Sequence, residues 1–251
     1  MNINQVLLSA SLFCSVFLCG CMEKKSDTDK MSHAVSLAKQ GNWKGTGELM
    51  LEISQKNPDA LQPVLLQAIA YEKTGDFDKA LDLARQVAAN SPDNFIAQYT
   101  FGRLSAKVPL RRSEAFSILE KAHTLKKDDA NTLILLCNLG TQLKHPRTLN
   151  YLTQLRMNSK YTHSPALYYQ YALYYAARNN GKQAVLFMRQ AARRGGLQNP
   201  ELALNAARCI DRNNFSAREA LNLYRFFVNN PASKKYPSLV KEAKQRIAAL
   251  Q

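Results

Sequence analysis

The sequence predicts an all-helical protein made of stacked helical hairpins, and three observations carry that prediction. Gly41-Asn42-Trp43 and Gly75-Asp76-Phe77 stand 34 residues apart, as do Asn57-Pro58-Asp59 and Ser91-Pro92-Asp93. Self-similarity at such a period marks units that cannot bury their apolar faces alone and must stack to do so. Apolar residues recur at helical spacing, and no period-two alternation of useful length interrupts them. Prolines sit where helices start: Ser164-Pro165, Asn199-Pro200 and Tyr236-Pro237-Ser238 place the ring at or near a first turn, where its missing N–H is harmless.

Carried along the chain, the frame yields six units. The first, 27–60, has Ala34, Gly41 and Pro58, with Thr46 where a small apolar residue is expected. The second, 61–94, is the most regular. The third, 95–129, has Gly102, Ala115 and Ala122 and one residue inserted around Pro109. The fourth, 130–164, keeps only helical apolar spacing at Leu133, Leu136 and Leu149, and the fifth, 165–198, recovers Ala172, Tyr175, Ala184 and Ala191. The sixth, 200–231, has Ala207, Ala220 and Pro231. From Ser238 to Leu250, Lys241, Lys244 and Arg246 alternate with Leu239, Val240, Ala243, Ile247 and Leu250, an amphipathic pattern suited to capping the open end. The spacing in units four and six is equally that of an irregular helical bundle.

In unit two, Ala68, Tyr71, Gly75, Phe77, Ala80 and Pro92 occupy the positions by which the pattern resembles the tetratricopeptide repeat. That resemblance implies a right-handed superhelical solenoid of about six hairpins plus a C-terminal capping helix, thirteen helices in all. Small residues there let paired helices approach, Tyr and Phe fill the seam, and Pro stops the second helix.

The first twenty residues contain no Asp, Glu, Lys or Arg, and Val6 to Leu18 is almost wholly apolar. A spanning helix needs roughly 20 apolar residues, so this run fits a secretory signal instead. Leu18-Cys19-Gly20-Cys21 resembles the bacterial lipobox. The resemblance implies a signal peptide at 1–20, a lipidated Cys21 followed by a polar tether to residue 30, and the repeat domain at 31–251. Met1 to Gln5 departs from such signals in having no Lys or Arg. Met22, rather than Asp, after the cysteine implies the outer membrane facing the periplasm in a host with two membranes.

Chemistry-bearing motifs are scarce. His33, His123, His145 and His163 fall in different hairpins with no Glu or Cys at ligand spacing, and there is no HExxH, CxxC or phosphate-binding glycine loop. Gly195-Gly196 reads as a helix stop. The expectation is a non-enzymatic protein without metal, cofactor or small-molecule substrate. Cys137 and Cys209 lie two stacking steps apart, each about 8–10 Å, beyond the roughly 7 Å a disulfide allows, and read as buried free thiols.

In the resembled family the first helix of each hairpin lines a groove. Carried onto this chain, the groove positions give Lys39, Lys73, Tyr99, Arg103, Lys107, Asn138, Tyr169, Arg208 and Arg212. Asn can hold backbone amides of an extended peptide, and Lys or Arg its carboxylates. A lysine ending a helix also complements the helix dipole. Tyr168, Tyr171 and Tyr175 fall at core spacing, leaving Tyr169 for the groove.

The chain carries a net charge of +15, unevenly placed. Residues 21–130 hold 16 basic against 15 acidic residues, whereas 131–251 hold 18 against 4. Such a field attracts anionic partners. Nucleic acid is the usual candidate for it, but not for an exported lipoprotein. The expected function is a lipid-anchored scaffold or adaptor binding an acidic or extended segment of a protein partner during envelope assembly or secretion. In size and layout the chain is similar to two groups, the pilotins of type IV pilus secretins and the accessory lipoproteins of outer-membrane barrel insertion. The alternative is a binder of anionic envelope lipid or glycan through the basic C-terminal half.

Overall fold

The structure, a computed structural model, describes residues 22–58, 60–195 and 199–251, with side chains from residue 27 onward. Cys21 and the signal-like segment before it lie outside the described residues. Among the described residues thirteen α-helices follow one another: α1 (Met22–Lys39), α2 (Trp43–Lys56), α3 (Leu61–Thr74), α4 (Phe77–Asn90), α5 (Phe95–Ser105), α6 (Arg112–Leu125), α7 (Ala130–Gln142), α8 (Thr148–Met157), α9 (Pro165–Ala177), α10 (Gly181–Arg193), α11 (Pro200–Arg212), α12 (Ala217–Asn229) and α13 (Pro237–Ala249). No strand occurs among the described residues, so the expected all-helical hairpin architecture is the one observed. The chain divides within α7 into two compact units that each hold several of the repeats, a first, Met1–Leu135, and a second, Leu136–Gln251. In the first, each helix from α1 to α6 packs on the next; in the second the same holds from α8 to α13. Among the described residues no helix is long and apolar enough to cross a membrane.

Helix α1 begins before the expected domain boundary, so residues 22–30 are helical rather than irregular. Polarity alone does not forbid a helix, and two of these charges find partners on α2. Lys30 pairs with Glu52, and Asp27 lies 3.7 Å from Lys56.

The hairpin turn shows how the repeat is encoded. Gly41 and Gly75 take φ of +80° and +95°, the left-handed conformation a glycine adopts without steric cost. Lys144, Asn179 and Asn214 hold the corresponding place in units four, five and six, with φ of 53°, 57° and 51°. After each, the next backbone N–H reaches back five residues: Asn42 to Leu37, Asp76 to Tyr71, His145 to Gly140, Asn180 to Tyr175 and Phe215 to Ile210. That bond satisfies a carbonyl at the helix end that would otherwise lack a partner. Asn42, Asp76, Asn180 and Ser216 then cap the following helix through their side chains. Unit four, nearly unreadable from its side chains, thus shares the turn geometry. Unit three differs because proline cannot adopt a positive φ. Pro109 there opens a short 3-10 turn, Pro109–Arg111, which accommodates the inserted residue.

Small residues mark where paired helices touch. Ala34, Ala68, Cys137, Ala172 and Ala207 on the first helices are fully buried, as are Ala80, Ala115, Ala184 and Ala220 on the second. In unit three the position is Gly102, where an added Cβ would lie 2.8 Å from Leu119 Cγ. Thr46, the apparent misfit of unit one, is fully buried too; its hydroxyl donates to the carbonyl of the capping Asn42 at 2.8 Å, which satisfies it. The capping expectation for α13 holds: Ala243 is fully buried, with Leu239, Val240, Ile247 and Leu250 packed on the core formed by Tyr224 and Phe227.

Candidate functional site

In the first unit the expected groove residues divide by what their charges meet. Lys39 and Lys73 end α1 and α3 with exposed side chains, and Lys73 Nζ stands 6.0 Å over the Trp43 ring. Arg103 and Lys107 instead converge on Glu72 of α3. The Arg103 guanidinium donates two bonds to its carboxylate, at 2.7 and 2.6 Å, and Lys107 Nζ donates a third at 2.6 Å. Burial by itself would push the Glu72 carboxyl up. The hydrogen bonds from Arg103 and Lys107, with their charges, override it and hold the carboxyl at about 2. Tyr99, expected on the groove, is only 2% exposed and stacks on Phe95 at 5.8 Å. That burial places it in the core rather than on a binding surface and pushes its phenol up to about 12.

The second unit repeats this pattern. Arg208 donates to Glu242 of α13, with Nε 2.9 Å from Oε1 and Nη2 on Oε2. Tyr169 is half-buried, and its hydroxyl accepts a bond from Asn205 Nδ2 at 3.2 Å. Asn138 is half-buried on α7, while Arg212 is exposed at the end of α11. Tyr168 and Tyr171 are in the core as expected, and Tyr171 and Tyr175 stack on Phe187 at 4.8 and 5.4 Å. Both cysteines are free thiols, but only Cys137 is buried; Cys209 is half-exposed, a correction to the sequence expectation. Desolvation raises both thiols, Cys137 to about 12.

The partners of these cations lie about one repeat away in sequence. Glu72 is 31 and 35 residues from Arg103 and Lys107, Arg208 is 34 from Glu242, and Asp211 is 35 from Arg246. Arg178 follows the same rule with backbone, donating to the carbonyls of Lys144 and His145, 34 and 33 residues back, while its guanidinium stacks on Tyr174 at 3.9 Å. Stacking brings equivalent positions of consecutive hairpins side by side, so opposite charges one period apart become neighbours. Arg103, Lys107 and Arg208 are therefore ties between repeats. A carboxylate one period away was the signal that could have revealed this.

Sequence reasoning missed two clefts on the second helices. In the first unit a cleft of about 340 Å³ lies between α2 and α4 over α3. Ser54, Gln55, Gln67 and Gln86 line it, with Lys79 and Asp82 as its only charges. In the second unit a cleft of about 360 Å³ takes the equivalent place between α10 and α12 over α11. Its lining holds Arg189, Arg193 and Arg218 against the single carboxylate of Glu219. Among the described residues no group of three or more His, Cys, Asp or Glu is placed to hold a metal ion.

No protein-family model and no curated protein matches the chain. Solved structures do. PilW, described as a widely conserved type IV pilus biogenesis factor, is 14% identical at a TM-score of 0.70, covering 86% of this chain and 97% of its own. YrrB, described as a tetratricopeptide protein with an unusual peptide-binding site, is 16% identical at 0.58, covering 79% and 99%. MamA is 14% identical at 0.61, covering 68% and 93%. At these identities the likeness is one of fold: the chain has the helical-hairpin fold of the tetratricopeptide repeat proteins.

Proposed function

We propose that this chain is a lipid-anchored scaffold, held at the envelope through Cys21, that mediates protein–protein contacts in bacterial envelope assembly or secretion. The observation that carries the reading is the stack of hairpins itself. Within each compact unit it presents successive first helices, with exposed Lys39 and Lys73 in the first and exposed Arg212 in the second near the ends of their helices. Such repeated surfaces suit an extended partner, and a peptide-binding site is described for YrrB. The pilus-biogenesis description of PilW supports an envelope setting. Arg103, Lys107 and Arg208 enter as supports of the surface. Asn138 and Tyr169, partly exposed in the second compact unit, would add polar contacts there.

Two measurements test the proposal. Growth of the host with an alkyne-bearing palmitate should label the wild-type chain and leave Cys21→Ser unlabelled; an unlabelled wild type removes the anchor. Crosslinking of the full chain in detergent-solubilised envelope, followed by mass spectrometry, should recover an envelope-assembly protein from wild type. Recovery should fall with Lys39→Gln, Lys73→Gln and Arg212→Gln combined. Undiminished recovery removes the first-helix surface from the reading.

A specific observation also favours the alternative, an anionic envelope lipid or glycan. All four carboxylates of 131–251 are engaged within their unit: Asp211 with Arg246, Glu219 with Arg189, Glu242 with Arg208, and Glu201 with the Tyr236 hydroxyl. Exposed Lys144, Arg156, Lys160 and Lys182 have no carboxylate partner among the described residues. Salt-sensitive sedimentation of the chain with anionic vesicles, without any protein captured, is the result that selects this reading.

A further inference from the structure

We propose that the arginine-lined cleft of the second unit is a docking site for an acidic segment of a partner protein. The segment would place an Asp or Glu carboxylate between Arg193 and Arg218 and an adjacent small apolar side chain on the cleft floor. This names a second surface and the chemistry of its partner. It rests on the protein-scaffold reading but uses the second helices instead of the first.

The apolar floor open to a ligand comes from half-buried Ala192 on α10 and Leu223 on α12, closed from beneath by fully buried Ala206 and Ile210 of α11. The single methyl of Ala192 leaves room that a leucine would fill. The resulting volume, about 360 Å³, sits at the small end of ligand pockets, which run roughly 300–1,000 Å³. That suits one or two side chains of a longer segment.

The rim is charged, and the charges are not alike. Arg189 is fixed to Glu219, with Nε at 3.0 Å from Oε1 and Nη2 at 2.6 Å from Oε2, so its charge is answered within the cleft. Glu219 occupies the third helical position after the Ser216 cap, where such a side chain commonly turns back to the cap. Here it reaches across to α10 instead, clamping α10 to α12 and giving the cleft walls a set separation. Arg193 and Arg218 are exposed and have no ion pair or hydrogen-bond partner among the described residues. Two unanswered guanidiniums beside an apolar floor form a site for a carboxylate, which Arg binds in planar, two-pronged fashion.

Two further observations favour a peptide as occupant. Ser216 and Asn222 add neutral polar groups to the lining, suited to backbone amides. Leu186, 46% exposed, lies on the same stripe of α10 as Arg189 and Arg193 and extends an apolar surface past the cleft mouth. The equivalent cleft of the first unit provides an internal contrast. Its charges balance and its lining is rich in Gln, so the same fold position was filled with different chemistry.

The test uses the full chain in detergent and immobilised octapeptides pairing Leu or Ala with Asp or Glu, against otherwise identical peptides carrying Asn or Gln. Wild type should retain the acidic peptides about tenfold more strongly, with the preference falling as salt rises. Arg193→Gln combined with Arg218→Gln should abolish the preference and leave the melting temperature unchanged, since both side chains are exposed. Equal retention of acidic and amide peptides overturns the proposal, as does an undiminished preference in the variant. Binding of wild type to anionic phospholipid vesicles, lost in the variant while peptides are not discriminated, also overturns it and assigns the cleft to a membrane surface. Failure here leaves the crosslinking result intact: an envelope protein captured equally by wild type and this variant sinks the cleft but not the scaffold.

Discussion

Replacing Glu72 by Gln isolates the tie between α3 and α5 without changing the volume of the side chain. In the wild type, Arg103 and Lys107 hold the Glu72 carboxyl at about 2 against an ordinary 4.5. At about 1.4 kcal/mol per unit, that shift corresponds to roughly 3 kcal/mol of stability. The Arg103 side chain is 25% exposed and that of Lys107 52%, so water recovers part of it. About 2 kcal/mol remains as the expected cost at neutral pH. For a domain of this size, roughly 2–4 °C per kcal/mol converts this to a melting temperature about 4–8 °C lower. Because the folded carboxyl is depressed, its contribution is fully present above 4.5 and is lost as pH falls toward 2. The gap between wild type and Glu72→Gln should therefore close over that window. Circular-dichroism melts from pH 7 down to pH 2 measure it. A variant that melts with wild type at pH 7, or a gap that persists unchanged at pH 2, refutes the assignment of Arg103 and Lys107 to an inter-repeat tie.

The other expectations concern turns and thiols. Lys144 holds a φ of 53° that glycine adopts without strain, so Lys144→Gly should stabilise the second unit by about 0.5–1 kcal/mol. A lower melting temperature for that variant would contradict the turn assignment. Buried Cys137, its thiol at about 12, should resist a maleimide reagent in the folded protein, while half-exposed Cys209 reacts slowly at pH 8 and faster as pH rises. Labelling of Cys209→Ser and Cys137→Ser separates the two, and fast modification of Cys137 would show that its helix is not packed as described.

Much of the fold was legible because its signals are local. The Gly41 and Gly75 turns, the alanines at packing positions and the prolines at helix starts each act within a few residues, and their period repeats along the chain. Unit four was hard to read because its turn uses Lys144 in place of glycine and its small packing residue is a cysteine. The physical requirement, one left-handed residue and one small side chain, was met by unusual means.

The binding residues were less legible, because a charge in the sequence does not declare its partner. Arg103, Lys107, Arg208 and Arg212 look alike on a helix face. Only Arg212 is exposed with no ion pair or hydrogen bond among the described residues, while the first three are bound to Glu72 and Glu242 about one repeat away. By itself the sequence determined the period, the helix ends, the small-residue seams and the excess of positive charge in residues 131–251, since these depend on local conformation and composition. The tertiary structure decided which cations are answered and which are open, and it created the cleft holding Arg193 and Arg218. Both depend on distances between hairpins, which exist only once the repeats have stacked.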